Sequence, residues 1–404
     1  MSKTIIIIGA GLAGLSAALQ AAENGCNVKL VSFLPSERAQ SVMAEGGINA
    51  ALNTKDENDS PEEHFTDTIK AACGLADPNA VWGMTQAAPE LVHWLLKLGV
   101  KFNMSGYDDV DLRNFGGQKK KRTAFAQSDT GKQIMTAMID AVRRKEASGM
   151  VERFSHHSFL TLRLCGNICC GCVIRDEYSQ ETVELPGDAV IVATGGMHGL
   201  FGNTTGSLSN TGEVTAELFR LGVPLANGEM IQYHPTTVKC GGKRMLISEA
   251  ARGEGGRLFA MKDGKQWYFM EEKYPELGNL MPRDITAREI WKVSHESEVF
   301  LDMTEISEEI ISNKLSGLAD DCMTYLHKDI RKEPVSVLPG IHYFMGGILV
   351  DEQHRTPIQN LYAAGECCAQ YHGANRLGGN SLLGALYGGR VAAKSACEQA
   401  DVVD

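Results

Sequence analysis

The feature that most constrains the fold is an apolar run near the start of the chain, IIIIGAGLAG at positions 5–14. Four consecutive β-branched residues are typical of a strand that is buried on both faces. Gly9, Gly11 and Gly14 follow at the spacing G-x-G-x-x-G, which permits a tight turn, close approach of a pyrophosphate and close packing of the next helix. The N-terminus of that helix would face the phosphates. The run therefore predicts the first strand, turn and helix of a dinucleotide-binding unit.

The same stretch has two other interpretations. It carries no charge between Lys3 and Glu23, so it is nearly long enough to cross a bilayer, and it resembles the apolar part of a signal peptide. The glycine spacing favours the strand–turn–helix unit, and no other uncharged stretch of this length is as apolar. We therefore expect a cytoplasmic protein without a membrane span of its own.

Two later segments repeat the strand-to-glycine pattern. They are DAVIVATGG at 188–196 and LYAAGE at 361–366, and a glycine-rich helix entry follows the second at 372–382. The second strand of the first unit carries Ser32 near its end, where an NAD-binding unit usually has an acidic residue, which argues against ordinary NAD binding. We interpret the repeats as one extended cofactor held more than once, by a domain built from both ends of the chain.

Composition favours two globular domains. The chain has 404 residues, 43% of them hydrophobic, which is enough for more than one core. Helical patterns are predicted around 61–72, 80–98 and 131–145, with short strands from 154 to 184. Between 229 and 339 the composition becomes more charged and helical. We therefore predict domain segments at 1–228, 229–339 and 340–404, with the middle one inserted.

The net charge of −11 makes the chain a poor candidate for binding nucleic acid. The only strongly basic run, KKKR at 119–122, is short, and we predict that it is a solvated loop.

Eleven cysteines without a predicted secretory signal indicate reduced thiols. Four of them cluster between Cys165 and Cys172 and suggest a metal site at first sight. The surrounding sequence instead favours a hairpin about a Gly166-Asn167 turn. Regular alternation would then point Cys169 to the opposite face from Cys170 and Cys172, so we predict no metal site.

The motifs together resemble one family, the flavoprotein subunits of fumarate reductase and succinate dehydrogenase, with L-aspartate oxidase. The resemblance covers nearly the whole chain and rests on seven motifs in the family's order. These are AEGG at 44–47, QYHPT at 232–236, SEAARGEGG at 248–256, PRD at 282–284, HYFMGG at 342–347, AGE at 364–366 and HGANRLGGNSL at 372–382.

The resemblance implies an α/β fold in which a Rossmann-like FAD-binding domain is interrupted by an α+β capping domain. It implies reduction of fumarate, or a close unsaturated dicarboxylate, by hydride transfer from flavin N5 and proton transfer from Arg283, with Glu249 and Arg252 as its relay. A dicarboxylate needs cations and hydrogen-bond donors at both ends. The resemblance assigns substrate binding to His234, Ser248, His342, Arg376 and Phe115.

The resemblance also implies a set of FAD contacts. The three motif glycines would lie at the pyrophosphate, Ser32 and Glu366 near ribose, and Gly46 and Gly47 under the ring system. The full predicted set is Gly9, Ala10, Gly11, Gly14, Ser32, Gln40, Ser41, Glu45, Gly46, Gly47, Ala193, Thr194, Gly195, Glu213, Gly365, Glu366, Arg376, Ser381 and Leu382.

Three positions depart from the family's pattern. Gln40 stands where membrane-complex members carry the histidine that attaches FAD, so we predict noncovalent FAD. Asp404 closely follows the last flavin motif, which predicts a short form without the family's C-terminal helical domain and leaves docking to an iron-sulfur subunit open. Phe115 stands where aspartate oxidases carry a glutamate, which favours a dicarboxylate without an amino group.

The alternatives are L-aspartate oxidase activity and a noncatalytic flavin electron-transfer subunit. Retention of every substrate-site residue disfavours the second, because a pure carrier needs no dicarboxylate site. The electron donor stays open between an iron-sulfur or other protein, a quinol and a small carrier, and the protein is expected to be cytoplasmic or peripheral to a membrane complex.

Overall fold

The computed structural model describes residues 2–107 and 109–400. Its α-helices are α1 Leu12–Glu23, α2 Pro61–Ala71, α3 Pro78–Lys97, α4 Thr130–Ala147, α5 Glu213–Arg220, α6 Glu249–Gly253, α7 Phe269–Lys273, α8 Arg283–Val293, α9 Glu308–Lys314, α10 Ser316–Asp321 and α11 Asn380–Gln399. Helices α2, α3 and α4 confirm the three helical patterns predicted between 61 and 145.

The strands are β1 Thr4–Ile8, β2 Asn27–Ser32, β3 Ile48–Asn49, β4 Leu112–Arg113, β5 Thr123–Ala124, β6 Val151–Ser155, β7 His157–Cys165, β8 Ile168–Asp176, β9 Thr182–Pro186, β10 Ala189–Val192, β11 Leu225–Ala226, β12 Ile231–Cys240, β13 Lys243–Leu246, β14 Arg257–Lys262, β15 Lys265–Trp267, β16 Val299–Asp302, β17 Val335–Ser336, β18 Leu338–Phe344, β19 Gly347–Leu349, β20 Leu361–Ala363 and β21 Cys368–Ala369.

The apolar run at the start of the chain forms the central strand of a parallel sheet in the order β20-β10-β1-β2-β6. Ile5 and Ile7 pack into a core with helices α1, α3, α4 and α11, whereas Ile6 and Ile8 pack into a second core with the β7–β8–β9 sheet. Both faces are therefore covered, as a continuous apolar strand requires. Strand β20 and helix α11 come from the end of the chain, which confirms the α/β fold built from both ends.

A third core lies in the middle of the chain. Its buried residues fall between Ile247 and Val337, with Phe115 added from the first part of the chain. They cover a four-stranded antiparallel sheet in the order β15-β14-β16-β17. Strand β18 crosses position 339/340 and pairs with β12. The limits 1–228, 229–339 and 340–404 remain a prediction.

The predicted hairpin forms about Gly166 and Asn167, but one part of the prediction was wrong. Leu164 pairs with Cys169 and Arg163 pairs with Gly171, so Cys170 is an extra, bulged residue. The bulge shifts the alternation by one residue. Cys169 and Cys172 therefore share the buried face, and Cys170 contacts Cys165 instead.

The basic run at 119–122 is only partly the solvated loop that we predicted. Lys119 and Lys121 are exposed, but Arg122 has no exposed surface. Its guanidinium pairs with Asp59 at 2.8 Å and with Asp67 at 3.0 Å. Burial of an arginine is costly unless its charge is paired, and two carboxylates pair with Arg122 here.

No helix in the described part of the chain has the length and apolar character needed to cross a membrane. The run at 5–14 instead supplies strand β1 and the first residues of α1.

Candidate active site

A cavity of about 680 Å³ opens where the carboxyl ends of β1, β2, β10 and β20 meet. In an open parallel sheet, ligands bind beyond these strand ends at the point where the strand order reverses. The first residues of helices α1 and α11 also line the cavity, through Leu12 and Ala13 and through Ser381 and Leu382. Helix N-termini attract anions, so the starts of both helices could hold anionic groups of a ligand in this cavity.

The first glycine turn leaves no room for a side chain at two of its three glycines, Gly9 and Gly14. A Cβ on Gly9, whose φ is +111°, would lie 2.2 Å from the carbonyl oxygen of Ala193. A Cβ on Gly14 would lie 1.8 Å from the carbonyl oxygen of Gly9. Gly14 does not line the cavity, so it serves the packing of α1 against the turn, while Gly9 and Gly11 border the ligand space.

All other predicted cofactor residues line this one cavity. They are Gly9, Ala10, Gly11, Ser32, Gln40, Ser41, Glu45, Gly46, Gly47, Ala193, Thr194, Gly195, Glu213, Gly365, Glu366, Arg376, Ser381 and Leu382.

Several polar groups of the cavity fit an FAD molecule. The Ser32 hydroxyl at the end of β2 is buried and has no hydrogen-bond partner in the protein, so it is free for a ribose hydroxyl. Glu366 is fixed by His198 Nε2 at 3.0 Å and by the backbone N–H of Phe344 at 3.0 Å. Near the start of α1, the N–H of Leu12 donates to Ser41 at 3.2 Å. When bound, FAD supplies hydride chemistry at this site.

The predicted substrate residues converge at the other end of the cavity. His234, Ser248, Glu249, Arg283, His342, Arg376 and Phe115 all line it, although they come from β12, α6, α8, β18 and three loops. Arg252 does not line the cavity and lies behind Glu249. The predicted substrate and catalytic residues therefore line one site, except Arg252, which is connected to that site through Glu249.

Glu249 is held between two arginines. Its Oε2 accepts from Arg283 Nε at 2.8 Å and Nη2 at 2.7 Å, and its Oε1 accepts from Arg252 Nη2 at 3.2 Å. The backbone N–H of Gly116 donates to the same Oε1 at 3.2 Å. Burial raises the pKa of Glu249, but the two arginines together outweigh burial, and the pKa lies below its usual value. The carboxyl group is therefore ionised.

Arg376 has few protein partners. Its Nη1 donates to the backbone oxygen of Leu377 at 3.3 Å, and its buried Nε has no partner. The guanidinium lies over the ring of Tyr343, 4.3 Å from the ring centre. Burial, helped by the charge of Arg283, lowers the pKa of Arg376 to about 9. It is still charged at neutral pH and has donors free for an anionic ligand.

The two histidines of the site are neutral. His234 and His342 face each other with ring centres 5.1 Å apart, and His342 Nδ1 lies 2.7 Å from the Thr205 hydroxyl. Burial and the nearby arginine charges hold the pKa of both well below the usual value. The positive charge of the site thus comes from arginine alone.

Phe115 gives the cavity an apolar surface and lies against Gly46 and Gly378. A Cβ on Gly46 would lie 2.9 Å from its ring, and a Cβ on Gly378 would lie 2.6 Å from it. Gly46 and Gly378 are therefore required for the phenyl ring to occupy this position.

The sequence analysis missed four residues that shape the site. Gln232 accepts from Arg283 Nη1 at 3.0 Å and donates to the backbone oxygen of Arg376 at 2.7 Å. Tyr343 supports Arg376, and His198 orients Glu366. Gln232 and Tyr343 lie inside motifs on which the resemblance rests, so the sequence could have identified them as site residues. His198 lies outside those motifs, and nothing in the sequence indicated its role. Arg175 lines the far end of the cavity from strand β8.

Comparison with known proteins agrees with this geometry. Residues 4–382 match the model of the family described as FAD binding domain. The chain is 44% identical over 403 residues to the succinate dehydrogenase flavoprotein subunit of Bacillus subtilis, covering 98% of this chain and 69% of that protein. It is 34% identical over 406 residues to the L-aspartate oxidase of Streptomyces coelicolor, covering 97% and 68%.

Among solved structures, a variant of the E. coli quinol fumarate reductase FrdA matches with a TM-score of 0.92 and 31% identity, covering 99% of this chain and 70% of that one. The predicted resemblance and the prediction of an FAD-dependent enzyme are confirmed. The chain belongs to the FAD binding domain family and is an FAD-dependent oxidoreductase of the group that contains succinate dehydrogenase and fumarate reductase flavoprotein subunits and L-aspartate oxidase.

Proposed function

We propose that the protein reduces fumarate, or a close unsaturated dicarboxylate, to succinate. The observation that supports this most strongly is the charge of the buried site, where three guanidinium groups, Arg252, Arg283 and Arg376, outnumber two carboxylates, Glu249 and Glu366. With the histidines neutral, the site carries surplus positive charge. A buried surplus of this size is stabilised by an anionic ligand, and a dicarboxylate brings two negative charges.

In this proposal Arg376, His234, His342 and Ser248 bind the two carboxylates. Arg376 has the free Nε, and the imidazoles, being neutral, each offer one N–H. Ser248 caps helix α6, with its hydroxyl oxygen 3.4 Å from the N–H of Ala250, so the hydroxyl hydrogen remains available. Phe115 gives the middle of the ligand an apolar wall, which suits a carbon–carbon double bond and not an ammonium group.

Arg283 is the proposed proton donor. Bound FAD would supply hydride chemistry to one alkene carbon, and the neighbouring carbon would need a proton, which we assign to Arg283. The guanidinium of Arg283 is held by Glu249 and Gln232, so its orientation is fixed. An arginine is a weak acid, but a carbanion-like carbon is a far stronger base. Glu249 and Arg252 form a hydrogen-bonded chain behind Arg283, and we propose that this chain returns the proton.

We further propose that FAD is held without a covalent bond, because Gln40 lines the cavity and offers no nucleophilic ring nitrogen. Precipitation with acid should leave the yellow colour in the supernatant. Flavin that stays with the pellet and fluoresces in a denaturing gel would contradict this proposal.

We also propose that an electron-donor protein, such as an iron-sulfur protein, reduces the flavin.

We further propose that residues 229–339 form a cap that moves over the substrate. His234, Ser248 and Arg283 come from the predicted cap and His342 and Arg376 from the remainder, so cap closure would complete the site.

The function is tested by reducing the FAD-loaded protein with dithionite without oxygen and adding one acceptor at a time. Fumarate should reoxidise the flavin and yield one succinate per flavin. The matched assay offers aspartate to the oxidised protein. If aspartate reduces the flavin and iminoaspartate forms, while fumarate reoxidises the reduced protein only slowly, the protein is an L-aspartate oxidase and the proposal is wrong.

A further inference from the structure

Cys165 and Cys170 form a close pair of thiols near the tip of the β7–β8 hairpin. Their Sγ atoms lie 3.0 Å apart, which is nearer than two sulfur atoms approach without a hydrogen bond or a covalent bond. Neither residue lines the active-site cavity. The pair exists because the bulge at Cys170 turns that side chain away from Cys169 and toward Cys165.

The two thiols have different surroundings. Cys165 is exposed, whereas Cys170 is buried beneath it and lies 3.4 Å from the backbone oxygen of Arg163. The hydrogen bond with Cys165 is the main cause that raises the pKa of Cys170, burial adds to it, and the charge of Arg163 opposes it. Cys165 is therefore the accessible thiol of the pair, and Cys170 lies beneath it.

The neighbouring cysteines are protected from the same chemistry. Cys169 and Cys172 have no exposed surface, and burial raises the pKa of each to about 12. Buried thiols of this kind do not form thiolates and are inert. Reactivity at the hairpin is thus confined to one pair.

We propose that Cys165 and Cys170 are a redox-active dithiol that exchanges with small-molecule disulfides and closes into a disulfide at the hairpin tip. The Cys165 thiolate attacks one sulfur of the external disulfide, forms a mixed disulfide and releases a thiolate. Cys170 then loses its proton, attacks Cys165 Sγ and releases the second thiolate. Two protein thiols are oxidised by two electrons, and one external disulfide is reduced to two thiols, which take up the two protons.

The test incubates the FAD-loaded protein with mixtures of oxidised and reduced glutathione, then quenches with acid, unfolds the protein and alkylates every remaining thiol. Cleavage after Arg163 and Arg175 releases residues 164–175, which contain Cys165, Cys169, Cys170 and Cys172. After reduced glutathione this peptide should carry four alkyl groups. After oxidised glutathione it should carry two and lose the mass of two hydrogens, and dithiothreitol should restore four.

Cys165→Ser and Cys397→Ser provide matched controls. Cys397 lies 3.0 Å from Cys26, the same separation, but Cys26 is buried and burial raises the pKa of Cys397 to about 12. Cys397→Ser should leave closure at the hairpin unchanged, while Cys165→Ser should keep three alkyl groups on the peptide. Three results would each overturn the proposal. The wild-type peptide could still carry four alkyl groups after oxidation, it could keep a glutathione adduct without forming the disulfide, or the disulfide could still form in Cys165→Ser.

Discussion

Two buried clusters of arginine and carboxylate in this molecule carry opposite net charge. In the active site Arg283 and Arg252 share one carboxylate, Glu249, so the cluster has a surplus positive charge. In the interior near the start of α2, Arg122 pairs with two carboxylates, Asp59 and Asp67, so that cluster has a surplus negative charge. Both arginines that anchor these clusters are at most 5% exposed.

The difference between the clusters separates a structural ion pair from a functional one. Arg122 is neutralised within the protein and does not line the cavity, so its pairing serves the fold. Arg283 faces the cavity, and it shares a single carboxylate, Glu249, with Arg252. A buried positive charge that the protein leaves unmatched is costly without an anionic ligand, and this supports the proposed dicarboxylate site.

The largest expected difference between the clusters is in stability. Arg122→Ala leaves two buried carboxylates without their cation, and removing one partner of a buried pair costs about 3–5 kcal/mol. Arg283→Ala should cost much less, because Arg252 still neutralises Glu249. Denaturant unfolding of both variants with FAD bound measures this, and equal losses of stability would show that the two clusters do not differ in the way described.

Arg376 should show the next largest effect, on binding. Arg376→Ala removes charged hydrogen bonds to a substrate carboxylate, so the Kd for fumarate should rise by about 10–100-fold. Arg390→Ala is the control, because Arg390 lies over the ring of Trp94 and does not line the cavity. Titration of the oxidised protein, followed by flavin absorbance, measures both variants. An unchanged Kd for Arg376→Ala would remove its assigned role.

Glu45 should give a smaller effect that depends on pH. Burial, together with Asp321 and Asp129 and against the charge of Arg113, raises the pKa of Glu45 to about 8. The folded chain then holds a proton that the unfolded chain releases above pH 4.5, so the free energy of unfolding falls as pH rises from 4.5 to 8. Glu45→Gln removes this loss, so it should stabilise the protein at pH 8 but have little effect at pH 4.5.

Unfolding of wild type and Glu45→Gln across this pH range measures the effect, with Glu23→Gln, at an exposed position, as the control. A constant difference at every pH would show that Glu45 is ionised in the folded protein.

The contrast between the clusters also shows how far the sequence alone could lead. Glycine spacing and four isoleucines predicted the parallel sheet, because strand burial and turn conformation are local properties. The convergence of Ser248, Arg283 and Arg376 followed only from resemblance, since no local sequence pattern brings together residues from such distant parts of the chain. The burial of Arg122 was missed because its partners, Asp59 and Asp67, lie more than fifty residues away. The bulge at Cys170 was missed because regular alternation was assumed.

The proposed role of Arg283 as proton donor is tested by single-turnover reoxidation of the flavin. The FAD-loaded wild type and Arg283→Ala are reduced, mixed with saturating fumarate without oxygen, and followed by flavin absorbance. Loss of a general acid should slow reoxidation by about 10²–10⁴-fold while the Kd for fumarate changes modestly, and Arg283→Lys should recover part of the rate. Reoxidation of Arg283→Ala at nearly the wild-type rate would contradict the account.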